Sequence, residues 1–450
     1  MPHPQQPRGL LKVFGAAFGL AMAVGATIGG GILSTPGDVA AALPTTWLFI
    51  GIWVLGGLNA LMGATIYAEL GTMVPRSGGI YPFAQRAFGD GVGFFTGYAD
   101  WLNYSVASAG LILLVGEYLG AVIAPLRGHS TAIGLLFLLL IGGLQWRGVK
   151  EGGKAQEITS LLKTLALVAL VGAAFFLPTT APATVAGTPL SAPHGTDLIL
   201  ALGVAMQGVI FTYDSYYSVV YCSEEMMNPD QEIPRSVFRG LWVIIGIYLL
   251  LNLAFVRVLP MTAIAHNAFV GGSLAQAIFG TAGDRIIRGI MIVSVLGTAN
   301  AQIIAAPRIL LAMARDGLFP QAATRVNAGG TPHVALALSV AAVAGFMLTG
   351  SFTAAIALDS VFIGALYLVT VLAFFWLRRR APDARRPYHA RGYPWVQGAA
   401  LVFVLLFLAT IAVGDVKDVL ITAGLLVVSW PASRWVRGII QRDKAPSAHA

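Results

Sequence analysis

Gly25-Ala-Thr-Ile-Gly-Gly-Gly-Ile-Leu-Ser-Thr-Pro36 lies in the middle of the first long apolar segment, and its three consecutive glycines, Gly29, Gly30 and Gly31, decide how the chain is read. Each glycine inside a helix costs about 1 kcal/mol relative to alanine. A run of three therefore predicts a break. Unwound backbone at membrane depth is tolerated only where protein or a water-filled cavity satisfies its amides and carbonyls. A second apolar segment is interrupted at Phe211-Thr-Tyr-Asp-Ser215, which sets the carboxylate of Asp214 at mid-membrane depth. Two broken segments in corresponding positions of two chain halves are the sequence mark of a transporter's substrate site. Gly25 and Gly29 also form a G-x-x-x-G pair, which close helix packing alone would explain. Packing needs a small face, however, and not three glycines in succession. A dinucleotide-binding loop is excluded because no strand precedes the glycines.

Composition fixes the class. Of 450 residues, 57% are hydrophobic and 11% charged, and the mean hydropathy is +0.77. Such a chain is solvated by the lipid bilayer, as an all-α polytopic membrane protein. The single cysteine, Cys222, cannot form an internal disulfide. The first apolar run continues past thirty residues, so no cleaved signal is expected and the N-terminus is expected to stay cytosolic. The seven histidines are scattered without ligand spacing, so neither a metal nor a cofactor is expected. A formal charge of +8 fits basic cytoplasmic loops and does not require nucleic acid.

Twelve apolar segments are expected. With both termini cytoplasmic, Arg127, Arg257, Arg285, Arg288 and Lys417 fall outside and Lys163 within the membrane; every other Lys and Arg falls inside. The densest cluster, Arg378 to Arg380 with Arg385, Arg386 and Arg391, needs no more than a stop signal or contact with anionic lipid. The organisation is then a cytoplasmic tail (1–12), a first set of five segments (13–178), an outside linker (179–196), a second set (197–377), a basic cytoplasmic loop (378–394), two further segments (395–437) and a cytoplasmic tail (438–450). Segments one and six are both interrupted and each opens a set of five. An odd number of spans makes the second set enter from the opposite side, which gives an inverted repeat with its site at the interface.

The motif Gly25 to Pro36 resembles the first-helix signature of the amino acid, polyamine and organocation superfamily. Tyr67-Ala-Glu-Leu-Gly-Thr-Met-Val-Pro-Arg-Ser-Gly-Gly-Ile-Tyr81 is similar to the end of its second helix and the loop that follows. The stretch Phe211 to Tyr217, continuing to Glu224-Glu225, Asn228-Pro229 and Ile233-Pro234-Arg235, resembles its sixth helix and exit. Pro307-Arg308 with Ala314-Arg315-Asp316-Gly317 resembles its eighth. The resemblance implies a five-plus-five inverted-repeat fold with two extra C-terminal helices, and similarity to bacterial and L-type amino acid transporters.

Helix chemistry points the same way. Broken helix ends expose amides at an N-terminus and carbonyls at a C-terminus, and a zwitterionic amino acid fits both. Thr27, Ile28, Gly29, Gly30 and Gly31 on the first break, and Phe211, Thr212, Tyr213, Asp214 and Ser215 on the second, are the candidate substrate contacts. By the resemblance, the carbonyls of Thr27 and Phe211 face the substrate amine. Phe211 is either an apolar filler or, on the same analogy, a thin gate. Asp214 is either a functional carboxylate or the N-cap of the helical half that follows. Relatives commonly carry Gly and Trp where Ser215 and Tyr216 stand, which leaves the side-chain pocket open.

Lys163 is the only basic residue well inside an expected span. It either snorkels to the interface or, as its alignment with a helix-five lysine implies, fills the space that sodium occupies in sodium-coupled relatives. Its expected neighbours are the helix-one backbone near Val24 and Gly25, with Ser294 and Thr298 completing an ion-coupling group. Glu69 is expected to make a structural hydrogen bond. Asp100, Glu117 and Asp359 are expected near span ends or satisfied inside the bundle. The reading reached is a secondary transporter of amino acids working by alternating access, sodium-independent, and either proton-coupled or an exchanger. A transporter of cationic amines or polyamines is the alternative. No filter sequence supports a channel, and no paired catalytic residues support an enzyme.

Overall fold

The computed structural model describes residues 9–179, 191–349, 352–414 and 424. Among them the chain is helical throughout: α1 (Ala16–Thr27), α2 (Gly31–Ala42), α3 (Thr46–Met73), α4 (Tyr81–Phe88), α5 (Asp90–Val122), α6 (Ser130–Arg147), α7 (Val149–Phe176), α8 (Thr196–Tyr213), α9 (Pro229–Val258), α10 (Met261–Ile264), α11 (Val270–Phe279), α12 (Gly283–Arg315), α13 (His333–Thr349), α14 (Phe352–Arg380) and α15 (Trp395–Gly414). Nine of the helical stretches are long and apolar enough to cross a membrane, or ten when α1 and α2 count as one broken span. The shorter α13 coincides with the ninth expected apolar segment, 333–349. Of the twelfth, 418–437, only residue 424 is among the described residues; most of the linker 179–196, the side chain of Asp359, residues 1–8 and the tail 438–450 lie outside them.

The glycine break is real. α1 and α2 meet at a 42° bend across Ile28, Gly29 and Gly30. The sixth segment is interrupted as well: α8 stops at Tyr213, and a 3-10 turn resumes at Ser218–Glu225. The two broken segments lie side by side, with α2 packed on α8 and α1 packed on the 3-10 stretch. Around them α12 and α5 form the most extensive helix pair, and α7 and α9 both close on α1. Large apolar side chains on the outer faces, among them Trp47, Leu139, Leu165, Ile199 and Leu406, are exposed, as a lipid-facing surface requires.

Ion pairs gather at one end of the bundle. Arg308 grips the carboxylate of Glu225, and both are buried. Arg76 reaches Asp316 at 2.8 Å, and Arg315 reaches Glu224 at 2.6 Å. Tyr81 donates to Asp316 at 2.8 Å. Burial, then that carboxylate, push the Tyr81 phenol up, so it remains the donor. The basic loop needs a correction. Arg378 binds Glu69, Arg386 lies 3.2 Å from the same carboxylate, and Arg385 pairs with Asp230 at 2.5 Å, so half of the cluster is engaged by protein rather than left for lipid. Glu69 also accepts from the Ala390 amide at 2.7 Å, which makes it the anchor of that loop.

Candidate functional site

A helix leaves its last four carbonyls without intrahelical donors. At the end of α1 three of these, Val24 O, Gly25 O and Thr27 O, are met by donors outside the helix. Val24 O accepts from the Ile28 amide at 2.9 Å, and Thr27 O from the Gly29 amide at 2.8 Å. Gly25 O accepts from Lys163 Nζ at 2.6 Å. The same ammonium donates to Ile28 O at 2.7 Å and lies 3.1 Å from both Ser294 O and Thr298 Oγ1. Lys163 is fully buried, so it does not snorkel. Its neighbours on α7, Leu161, Leu162 and Leu165, face outward while Lys163 faces α1 and α12. Ser294 Oγ donates to Ile28 O at 3.0 Å, and Thr298 Oγ1 lies 3.1 Å from Gly25 O. The group is a cage of oxygens around one cation at the negative end of a helix.

The start of α2 is the opposite pole. Gly30 is its cap; Leu33 donates to Gly30 O at 3.1 Å, while the amides of Gly31 and Ile32 precede the first helical acceptor. A Cβ added at Gly29 would come no closer than 3.5 Å to Thr298. At Gly30 it would meet Met291 Cε at 3.2 Å, and at Gly31 Thr212 Oγ1 at 3.2 Å. Gly25 differs, because a Cβ there would lie 2.1 Å from both Gln156 Nε2 and Ser160 Oγ. Close packing thus demands a glycine at Gly25, while at Gly30 and Gly31 only side-chain tips crowd the position and at Gly29 nothing does.

On the second break, Thr212 faces α2: its hydroxyl donates to Gly208 O at 2.8 Å and lies 3.1 Å from Thr35 Oγ1. Phe211 is half-buried, and its carbonyl accepts from the Asp214 amide at 3.3 Å. Tyr213 is turned away from the glycines, toward α3, where its phenol donates to Trp53 O at 3.2 Å. Asp214 is not an N-cap. It follows the last residue of α8, and the 3-10 stretch is capped at Tyr217 with no side-chain bond. Its carboxylate accepts from Ser215 Oγ (2.8 Å), Tyr217 OH (3.3 Å) and Tyr367 OH (2.6 Å). Ser215 turns the chain there with φ of +72°, in the left-handed region.

Sequence reasoning missed Tyr248 of α9. Its hydroxyl lies 3.1 Å from Thr27 O and 3.0 Å from Thr212 O, so one side chain bridges the carbonyl ends of both broken helices. It also missed a buried amide chain below Lys163. Ser160 donates to Ala21 O at 2.8 Å, Asn300 to Gln156 Oε1 at 2.8 Å and Gln145 to Asn300 Oδ1 at 2.7 Å. A tyrosine or glutamine in an apolar run carries no periodic signal that separates a bridge from a filler. A polar residue at depth is itself the signal, since each must find a partner.

Residues 9–430 match the model of the family described as "Amino acid permease". The chain is 27% identical to the serine/threonine exchanger SteT of Bacillus subtilis, over 91% of this chain and 93% of the relative. It is 27% identical to the branched-chain amino acid permease BcaP of Lactococcus lactis, over 80% and 81%. With the b(0,+)-type amino acid transporter 1 of Mus musculus it shares 25% identity, over 84% of this chain and 78% of the relative.

Proposed function

The chain belongs to the amino acid permease family and is a multi-pass amino acid transporter, not an enzyme, and from that premise we propose that it moves neutral amino acids without sodium, by alternating access. The observation that carries this reading is Lys163. Its ammonium takes the acceptors that a metal cation between α1 and α12 would need: Gly25 O, Ile28 O, Ser294 O and Thr298 Oγ1. A second cation in that cage would be repelled at short range. Coupling is then to protons or to counter-moving substrate, and exchange is the mode named for one relative.

The substrate zwitterion sits between the breaks. Its carboxylate meets the first-turn amides of α2 at Gly30 and Gly31, where no side chain intervenes. Its ammonium meets carbonyls at the ends of α1 and α8, Thr27 and Phe211 among them, once the bonds they now accept from Tyr248 and Asp214 are exchanged. A neutral side chain is favoured over a cationic one because Asp214 already accepts three hydroxyl donors and offers no open counter-ion. Segments 13–178 and 197–377 form the inverted repeats, with 395–437 added outside them to complete twelve spans. α1 and α8 then reorient against the scaffold of α5 and α12. The ion-paired end is cytoplasmic, where the excess of Lys and Arg falls.

Labelled L-serine uptake into proteoliposomes tests this, with sodium replaced by choline and with or without a pH gradient and internal L-serine. We expect uptake to persist without sodium and to rise with one of the two gradients. Lys163→Ala should cut net uptake while the purified protein stays monodisperse. A strict sodium requirement would overturn the assignment of Lys163.

A further inference from the structure

We propose an internal water site behind the second break, where about two water molecules bridge α3 to the sixth segment and let that segment shift without baring its hydroxyls; its part in transport rests on the reading just given. A cavity of about 30 Å³ lies between α3, α8, α14 and α15. A water molecule needs roughly 10–15 Å³ and two to four polar partners. A small-molecule site needs far more, about 300–1,000 Å³. Among the described residues no charged side chain lines the cavity, so an ion finds no counter-charge there. Its polar side chains fall into two sets. Tyr213, Tyr367 and Thr370 are already bonded, donating to Trp53 O at 3.2 Å, to Asp214 at 2.6 Å and to Leu366 O at 2.7 Å. Asn59, Tyr67 and Tyr216 are not: none of the three makes a side-chain hydrogen bond among the described residues. Tyr67 and Tyr216 are only 2% and 3% exposed. A bare hydroxyl at that depth in a membrane is costly, and an apolar wall supplies no partner.

Geometry brings the three groups to one place. Asn59, Gly63 and Tyr67 recur every four residues and share one face of α3. Gly63 is the gap in that face: a Cβ there would lie 2.2 Å from Tyr216 OH, so this hydroxyl rests against the α3 backbone. The Tyr216 ring stands edge-on to Tyr67, with centroids 6.0 Å apart, and Tyr67 is fixed in turn by stacking on Tyr217 at 3.9 Å. Tyr216 lies two residues after Asp214, and Tyr367, also in the cavity wall, donates to that carboxylate. The water therefore lies one side chain from the carboxylate of the break. A direct bond between α3 and the sixth segment would have to be broken when α8 reorients, in a medium that offers no replacement. Water bridges such a contact at little cost and stays with either wall.

Brief X-ray irradiation of the purified full chain makes hydroxyl radicals from water bound in place, and mass spectrometry reads the oxygen added to neighbouring rings. Tyr67 and Tyr216 should be labelled several-fold faster than Phe49 and Phe255, which are fully buried and do not line the cavity. Labelling no faster than at those two rings overturns the site. Tyr67→Phe should lower the apparent melting temperature by a few degrees, because a hydroxyl met by water is lost. An unchanged or higher temperature would mean that the hydroxyl was bare, and overturns the site independently of labelling. Ala400→Val puts methyl groups into the cavity and should bring both tyrosines down to the rate of the buried phenylalanines. In the same variant, uptake of labelled L-serine should keep its KM and lose several-fold in Vmax, since the substrate contacts are untouched and the reorientation is not. Suppressed labelling with Vmax unchanged overturns the part in transport. These labelling rates and melting temperatures need no substrate, so a failure of the amino acid reading would show separately, as absent L-serine uptake by the wild type.

Discussion

At the scale of single residues, two charged groups at similar depth have opposite surroundings. Lys163 lies among the carbonyls of Gly25, Ile28 and Ser294, with its charge facing the negative end of α1. Asp214 is held by the hydroxyls of Ser215, Tyr217 and Tyr367 and by the Ser215 backbone amide. A carboxylate so satisfied positions the chain after α8 and does not await a cationic substrate. Asp214→Asn should therefore lower uptake of L-serine and L-arginine by similar factors, because three hydroxyl donors lose a charged acceptor worth about 1.5–3 kcal/mol per bond. A loss confined to L-arginine would restore the counter-ion reading. Tyr248 carries the complementary lesson: one hydroxyl serves Thr27 O and Thr212 O, so it ties the two breaks to α9.

At the scale of elements, the glycines of the first segment separate into two roles. Gly25 is a packing residue, since a methyl group there would sit 2.1 Å from Gln156 and Ser160. Gly30 is a site residue, since a methyl group there would meet only the flexible tip of Met291 and Leu114. Gly25→Ala should thus lower the apparent melting temperature and monodispersity of the purified protein, an overpacking cost of about 1–3 kcal/mol. Gly30→Leu should leave both near wild type and abolish uptake. The reverse pattern, a stable Gly25→Ala and an aggregated Gly30→Leu, would mean that the break is held by packing and not by a ligand.

At the scale of the whole molecule, ion pairs lock three parts of the chain together at one end of the bundle. Arg308–Glu225, Arg76–Asp316 and Arg315–Glu224 tie α12 to the exit of the sixth segment and to the loop after α3. Near the N-terminus, the amides of Val13 and Phe14 donate to Glu225 O at 3.0 and 2.9 Å, which joins α1 to the same lock. Cys222 sits fully buried within it and is the one cysteine of the chain, a built-in reporter. Arg76→Gln should speed maleimide labelling of Cys222 in proteoliposomes, and added substrate should modulate the rate. Labelling at the wild-type rate would show that this end opens without breaking the pair.

The sequence by itself determined the membrane class, the break at Gly29 to Gly31, the interruption near Asp214 and the depth of Lys163, because hydropathy, glycine cost and buried charge are properties of the local chain. Its motifs, through their resemblance, also named Gly25, Ser294 and Thr298 as neighbours of Lys163. What only the tertiary structure decided is how each polar group is satisfied. Lys163 meets Gly25 across 138 residues of sequence, and Tyr248 meets Thr27 across 221. Asp214 could be read as a cap from its place in the chain, but its partner Tyr367 is 153 residues away and turns it into an acceptor of hydroxyls. The basic loop likewise looked free until Glu69, 309 residues before Arg378, was found beneath it. Apolar burial is written in the order of residues along one helix. Hydrogen-bond partners are written in the packing of several, since a buried donor must be met by whichever acceptor the fold brings near.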